Sequence, residues 1–186
     1  NDIHVYRMSS DSFPWMSEYK FQDIPQFDVI LKYLKLIGEK IKGNDIRVSY
    51  HPGPFNVLAS ENQAVVKKTI NELNKHSELL DLMGLEQSHY YPINIHINTT
   101  QPTREEAANR FCDQFENLSD SCKKRLVVEN DDKESQYSVK ILYDLVYSKI
   151  KIPITFDQLH WELGPKDLSM KESLELALST WKVKPL

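Results

Sequence analysis

Five residues of this sequence carry side chains of the kind that hold a divalent metal ion: His51, His96, Glu129, Asp157 and His160. Imidazole nitrogens and carboxylate oxygens without a thiolate suit zinc, manganese or iron. Apart from Asp157 and His160, they lie too far apart in sequence to share one helix or one hairpin. They can act together only if a repeating fold delivers them to one place. The two cysteines, Cys112 and Cys122, stand apart from every histidine. Zinc-ribbon spacing is therefore missing, and both are read as reduced thiols. The N-x-S/T patterns at Asn98 and Asn117 are taken as chance matches.

The elements that would position the five residues follow from hydrophobic periodicity. Strand-like runs fall at Ile3–Met8, Ile46–Tyr50, Ile93–Ile97, Leu126–Glu129 and Ile152–Phe156. Each is followed by a helical stripe. The first stripe, Ile30, Leu34, Ile37 and Ile41, lies within Asp28–Lys42 and stops at Gly43. The second, Val66, Ile70, Leu73 and Leu80, is opened by Ser60-x-x-Gln63 and stopped at Gly84. Thr103 and Glu106 open a helix through Phe111 and Phe115. Val139, Leu142 and Val146 mark the fourth, and Ser169 with Glu172 caps the last, which carries Leu174, Leu178 and Trp181.

Strict β-then-α alternation predicts an α/β protein with a parallel sheet. A complete (β/α)8 TIM barrel needs about 250 residues. At 186 residues, five consecutive units fit a partial barrel, expected as a single domain over 1–186. Both ends look cut, as though the sequence were part of a longer one.

Within each strand the two faces separate with period two. Arg47, Ser49 and His51 oppose Ile46, Val48 and Tyr50; Asn94, His96 and Asn98 oppose Ile93, Ile95 and Ile97. The first strand ends in Ser9, Ser10 and Asp11, the fourth in Glu129 and the run Asn130-Asp131-Asp132, the fifth in Asp157 with His160 close behind. Every strand thus ends polar, and that edge is where parallel α/β proteins build sites. Arg7 and Arg47 sit on polar faces, suited to an internal ion pair or to phosphate contact; the internal pair is favoured. His4, His76 and His89 fall outside the pattern and are assigned no role.

A net charge of −4 lacks the strongly basic footprint of many nucleic-acid-binding domains, although a local basic surface can hide under an acidic total. No apolar run is long enough for a membrane span. The expected location is intracellular, cytoplasm or nucleus.

Several segments together resemble the UV-damage endonucleases, barrel relatives of the abasic-site endonucleases. They are Arg7-Met8-Ser9-Ser10-Asp11 with Phe13-Pro14, Arg47 to Phe55 around His51-Pro52-Gly53, Val128-Glu129-Asn130-Asp131-Asp132, Asp157-Gln158-Leu159-His160, and Leu176-Ala177 with Thr180-Trp181. The resemblance spans nearly the whole chain. It implies a DNA-repair hydrolase with up to three manganese or zinc ions, nicking damaged double-stranded DNA on the 5′ side of UV photoproducts and other lesions. It implies that His51 and His96 hold one ion, that Glu129 bridges to a second bound by Asp157, and that His160 serves a third. Pro54 and Phe55 take the place of the family's DNA-wedging pair, Pro54 standing where the family has Gln. Glu18 stands where the family often has a histidine and is assigned no ligand role. Asn98-Thr99 replaces a Gly-Gly pair. By resemblance, two further histidine ligands, a glutamate and a lysine lie beyond the last residue, and a strand and helix precede the first.

Two other classes remain open: a sugar isomerase or epimerase on the same barrel, and an inactive fragment serving as a binding module. No obligate protein partner is implied. Four expectations follow: His51, His96 and Glu129 share an ion; Phe55 is exposed beside the metal edge; both sheet edges are open, favouring self-association; and the chain alone is inactive, holding at most one ion.

Overall fold

The period-two runs become strands and the stripes become helices. The computed structural model describes residues 3–183. Five strands, β1 (Val5–Met8), β2 (Arg47–Tyr50), β3 (Ile93–Ile95), β4 (Leu126–Glu129) and β5 (Ile154–Thr155), form one sheet in chain order. Every pairing is parallel. Between them run α1 (Phe27–Gly43), α2 (Gln63–Leu82), α3 (Arg104–Phe115) and the short α4 (Asp120–Lys123). α5 (Val139–Leu142) continues through a π-helical turn at Tyr143–Tyr147 into α6 (Ser148–Ile150). The short α7 (Gln158–Leu163) and α8 (Met170–Ser179) follow β5. Among the described residues no helix is long and apolar enough to cross a membrane.

Several boundaries differ from the sequence expectation, each for a local reason. Strand β3 stops at Ile95, and the chain turns at Asn98 in the left-handed region, φ 62°. Strand β5 keeps two residues because Pro153 has no N–H for the ladder. Helix α2 is capped by Asn62, whose side chain accepts from Ala64 N at 2.9 Å; Ser60 instead accepts from Asn62 N. Thr103 and Ser169 cap α3 and α8 as expected, Ser169 in a full capping box with Glu172.

The two faces of the sheet have opposite chemistry. Val48, Tyr50, Ile93, Ile95, Leu126, Val128 and Ile154 pack with the helices into one apolar core. The residues between them, Arg47, Ser49, Asn94, Glu129 and Thr155, are buried yet polar. Helix α1 lies against the end of α2, where a Cβ on Gly38 would come within 1.7 Å of the Met83 carbonyl oxygen.

Trp181 ties the lower rim together. It stacks near the Arg47 guanidinium at 5.4 Å, while Arg47 donates to the carbonyls of Tyr90 and His89 at 2.8 and 3.0 Å. The same indole N–H donates to the Ile154 carbonyl at 2.8 Å, and Ile154 N–H donates to Thr180 Oγ1 at 2.9 Å. The outward backbone groups of Ile154 are therefore satisfied by side chains, although β5, like β1, remains an edge of the sheet. At the other edge, β1 leaves Val5 and Tyr6 exposed.

Arg125, fully buried just before β4, fastens that strand to α2. Its guanidinium donates to Asp81 Oδ1 at 2.7 Å, Ser77 Oγ at 2.9 Å and the Leu85 carbonyl at 2.8 Å. Losing Arg125 leaves several buried acceptors unpaired beside the part-exposed Asp81, and orphaning a single buried polar group costs about 1–3 kcal/mol. Urea unfolding should therefore show Arg125→Ala strongly destabilised and Thr180→Val less so. Unchanged midpoints would contradict these roles.

Candidate metal centre

The polar strand ends converge on Glu129. This carboxylate closes β4, is 5% exposed, and meets a different neighbour with each oxygen. Oε2 lies 3.2 Å from His51 Nε2 and accepts from Asn94 Nδ2. Oε1 lies 3.4 Å from His160 Nδ1 and 3.9 Å from His96 Nε2. The His96 ring sits 5.3 Å from that of His51 and 5.2 Å from that of His160. Two sets of three possible ligands result: His51, His96 and Glu129, and Glu129, Asp157 and His160, with donor atoms in each within 4.8 Å of one another. Ligands held at about 2.1 Å from a zinc-sized ion lie roughly 3.0–3.4 Å apart. Several spacings here already fall in or near that range, and the N/O donor set fits a borderline-hard divalent ion.

Local structure orients each group. The His51 ring follows β2 into the Pro52-Gly53 turn, with Nδ1 3.3 Å from the Pro52 carbonyl oxygen. His96 presents Nδ1 to Asp131 Oδ1 at 3.1 Å, an arrangement that fixes the ring and leaves Nε2 for an ion. Asn130 bridges β4 to β5: its Nδ2 donates to the Asp157 carbonyl and its Oδ1 accepts from Asp157 N–H, at 3.1 and 2.8 Å. The Asn130 carbonyl also accepts from His160 Nδ1 at 2.9 Å. Asp157 caps α7 through His160 N–H. The loop after α7 returns so closely that a Cβ on Gly164 would meet the Asp131 carbonyl oxygen at 2.3 Å.

The site residues read from the sequence therefore meet. The resemblance implies an ion of its own for His160; its ring also offers a donor atom beside Glu129 and Asp157, so the second set has three possible donors like the first. Asn94 and Asp131 were not assigned roles. Asn94 shares the polar face of its strand with His96, and Asp131 follows Glu129 by two positions, but their contacts are tertiary. Glu18 pairs instead with Lys68 at 3.5 Å on the surface. Arg7 lines the cleft of about 660 Å3 over the centre, as do Pro54 and Asp132; it makes no ion pair among the described residues. Phe55 is 90% exposed beside that cleft. Cys112 and Cys122 are free and buried, and burial pushes their thiols up to about 11 and about 12. Both stay protonated and inert.

Electrostatics favour an ionised Glu129. Burial alone would raise its pKa, but the His51 hydrogen bond and the charges of His96, His51 and His160 outweigh it and hold the carboxyl below its ordinary value. For His96 burial works downward, yet Asp131, Glu129 and Asp132 overcome it and raise the imidazole. The sign of the linkage follows. The Glu129 contribution to stability is present above about 4.5 and lost as pH falls through its folded pKa. The His96 contribution is complete below about 6.5 and lost as pH rises through its folded pKa. Histidine proton spectra of the metal-free chain should show His96 titrating above 6.5 and His89, which burial depresses, near 4. A His96 midpoint below 6.5 would contradict the charge arrangement.

Comparison with known proteins agrees with this geometry. The family model described as UV-endonuclease UvdE matches residues 1–186. The UV DNA damage endonuclease of Clostridium perfringens (strain 13 / Type A) is 35% identical over 97% of this chain and 43% of its own length. That of Bacillus cereus (strain Q1) is 31% identical over 97% of this chain and 55% of its own. The chain thus spans about half the length of the curated relatives it matches. The crystal structure of SacUVDE superposes with a TM-score of 0.86 at 39% identity, over 96% of this chain and 59% of that one. D-psicose 3-epimerase from Clostridium cellulolyticum H10, at a TM-score of 0.66 and 14% identity, shares the fold alone. With the family model matched from end to end, the chain belongs to the UV-endonuclease UvdE family.

Proposed function

We propose that the whole protein is a divalent-metal-dependent DNA-repair endonuclease. It cuts the phosphodiester on the 5′ side of UV photoproducts and other lesions in double-stranded DNA. The observation that carries this reading is the pair of three-ligand sets joined by Glu129, in a chain whose curated relatives are named UV DNA damage endonucleases. His51, His96 and Glu129 would hold one manganese or zinc ion, and Glu129, Asp157 and His160 a second. Such ions, when bound, supply Lewis acidity for the attack of water on a phosphodiester.

The remaining steps belong to the chain's own groups. Arg7, exposed in the cleft, contacts a backbone phosphate. Asp131 holds the His96 ring through Nδ1, and Asn94 holds one oxygen of Glu129. Pro54 and Phe55, on the turn after β2, enter the duplex at the lesion, with Phe55 stacking on a base. Work on DNA goes with a location inside the cell.

A sugar epimerase would need an enclosed small-molecule pocket. The aromatic residue beside this cleft is almost wholly in solvent, and the curated relatives are named UV DNA damage endonucleases, which together favour DNA.

The test is Glu129→Ala in the whole protein. Nicking of a UV-irradiated duplex should fall more than about 100-fold, the loss expected when ion-derived stabilisation worth several kcal/mol disappears. Duplex affinity should change only severalfold, because phosphate contacts supply most of it. Near-normal nicking by the variant would defeat the role given to Glu129.

A further inference from the structure

Trp15 stands in solvent on a strained backbone. Its side chain is 83% exposed, and its backbone takes the left-handed conformation, φ 54° and ψ 32°. For a bulky side chain that backbone is an outlier, and such strain persists only where the surroundings impose it. They do so here. Met16, the next residue, is buried in the core at 3% exposure. The Tyr19 hydroxyl donates to the Pro14 carbonyl, and Asn71 Nδ2 donates to the Ser17 carbonyl. The loop is pinned on both sides of an indole left in solvent.

Phe55, the other aromatic residue so exposed, is presented in the same way. Asn56 N–H donates to the Gly53 carbonyl, Asn56 Nδ2 to Glu72, and Asn98 Nδ2 to the Asn56 carbonyl. Trp15 and Phe55 line one cleft of about 380 Å3. That cleft adjoins the metal centre, since Gly53 lines both.

We propose that Trp15 is a second base-stacking residue, forming with Phe55 a subsite beside the metal centre for an unstacked nucleobase of the damaged duplex. This assignment rests on the nuclease reading. Two rigidly presented aromatic faces on a cleft adjoining the metal centre suit a base leaving the stack. Aromatic stacking serves any base, because every base has a π-face. A flexible loop would lose that advantage by having to order on binding.

The experiment measures binding of the whole protein to two short duplexes of one sequence, one with a single thymine–thymine photoproduct and one undamaged. Trp15→Asn is the informative variant, because asparagine tolerates the left-handed backbone and the loop should keep its shape. Affinity for the damaged duplex should fall about tenfold, within the range of aromatic–base stacking, and affinity for the undamaged duplex should hold within about twofold. The melting temperature should be unchanged or raised. Trp15→Phe should restore most of the loss. Tryptophan fluorescence should be quenched on binding the damaged duplex, and that quenching should be absent in Trp15→Asn. If Trp15→Asn binds the damaged duplex like the parent while Phe55→Ala binds it less well, the Trp15 assignment falls and the nuclease reading stands. If the unaltered whole protein does not prefer the damaged duplex, the nuclease reading falls and the Trp15 assignment falls with it.

Discussion

A carboxylate buried at the end of a central strand must be compensated, and the placement of Glu129 governs much of what surrounds it. Taken alone, the burial of this group would make ionisation costly. Three imidazoles and one amide approach its two oxygens, and they come from β2, β3 and the start of α7. The parallel register of the sheet sets the height of those strand ends relative to β4. The carboxylate is also the one member common to both ligand sets. A slip of one residue in β4 would turn Glu129 to the apolar face and dismantle both sets at once.

The sheet supports this by dividing its labour between faces. The helix-facing side supplies the apolar core, with Tyr50, Ile93, Ile95, Leu126, Val128 and Ile154 buried against the helices. The other side carries the site at its upper edge and, at its lower rim, Arg47 lying between Tyr90 and Trp181. Trp181 and Thr180 together hold the outward backbone groups of Ile154, so β5 keeps its place with only two residues in the ladder. The second ligand set depends on that, because Asp157 and His160 follow directly from β5.

Much of this was legible in the sequence because it depends on local period and order. Strand β4 is read with its observed ends, the caps at Thr103 and Ser169 are read correctly, and strand alternation with the order of elements brings His51, His96, Glu129, Asp157 and His160 to one edge. What was not legible depends on contacts between distant segments. Nothing near Asn94 in sequence says that its amide reaches Glu129. Nothing near Thr180 says that its hydroxyl closes the edge of β5. The cap at Asn62 was missed because Ser60-x-x-Gln63 fits the motif equally well in sequence, and the backbone places Asn62 at the helix start. The π-helical turn at Tyr143–Tyr147 leaves the apolar spacing of Val139, Leu142 and Val146 intact, so the period gave no sign of it. The capping bond that Asp157 accepts from His160 N–H follows from the short helix after β5, which the sequence reading did not include.

The shared carboxylate is tested most directly by counting ions. Manganese binding to the metal-stripped chain, followed by calorimetry and by metal analysis after gel filtration, should give two ions per chain, one more than the sequence alone suggests, because each of the two sets offers three donors. His51→Ala should remove one of them. Glu129→Gln, which keeps the size of the side chain but not its charge, should weaken both together. A Glu129→Gln chain that loses only one ion and keeps the other at its original affinity would contradict a centre built around this single carboxylate.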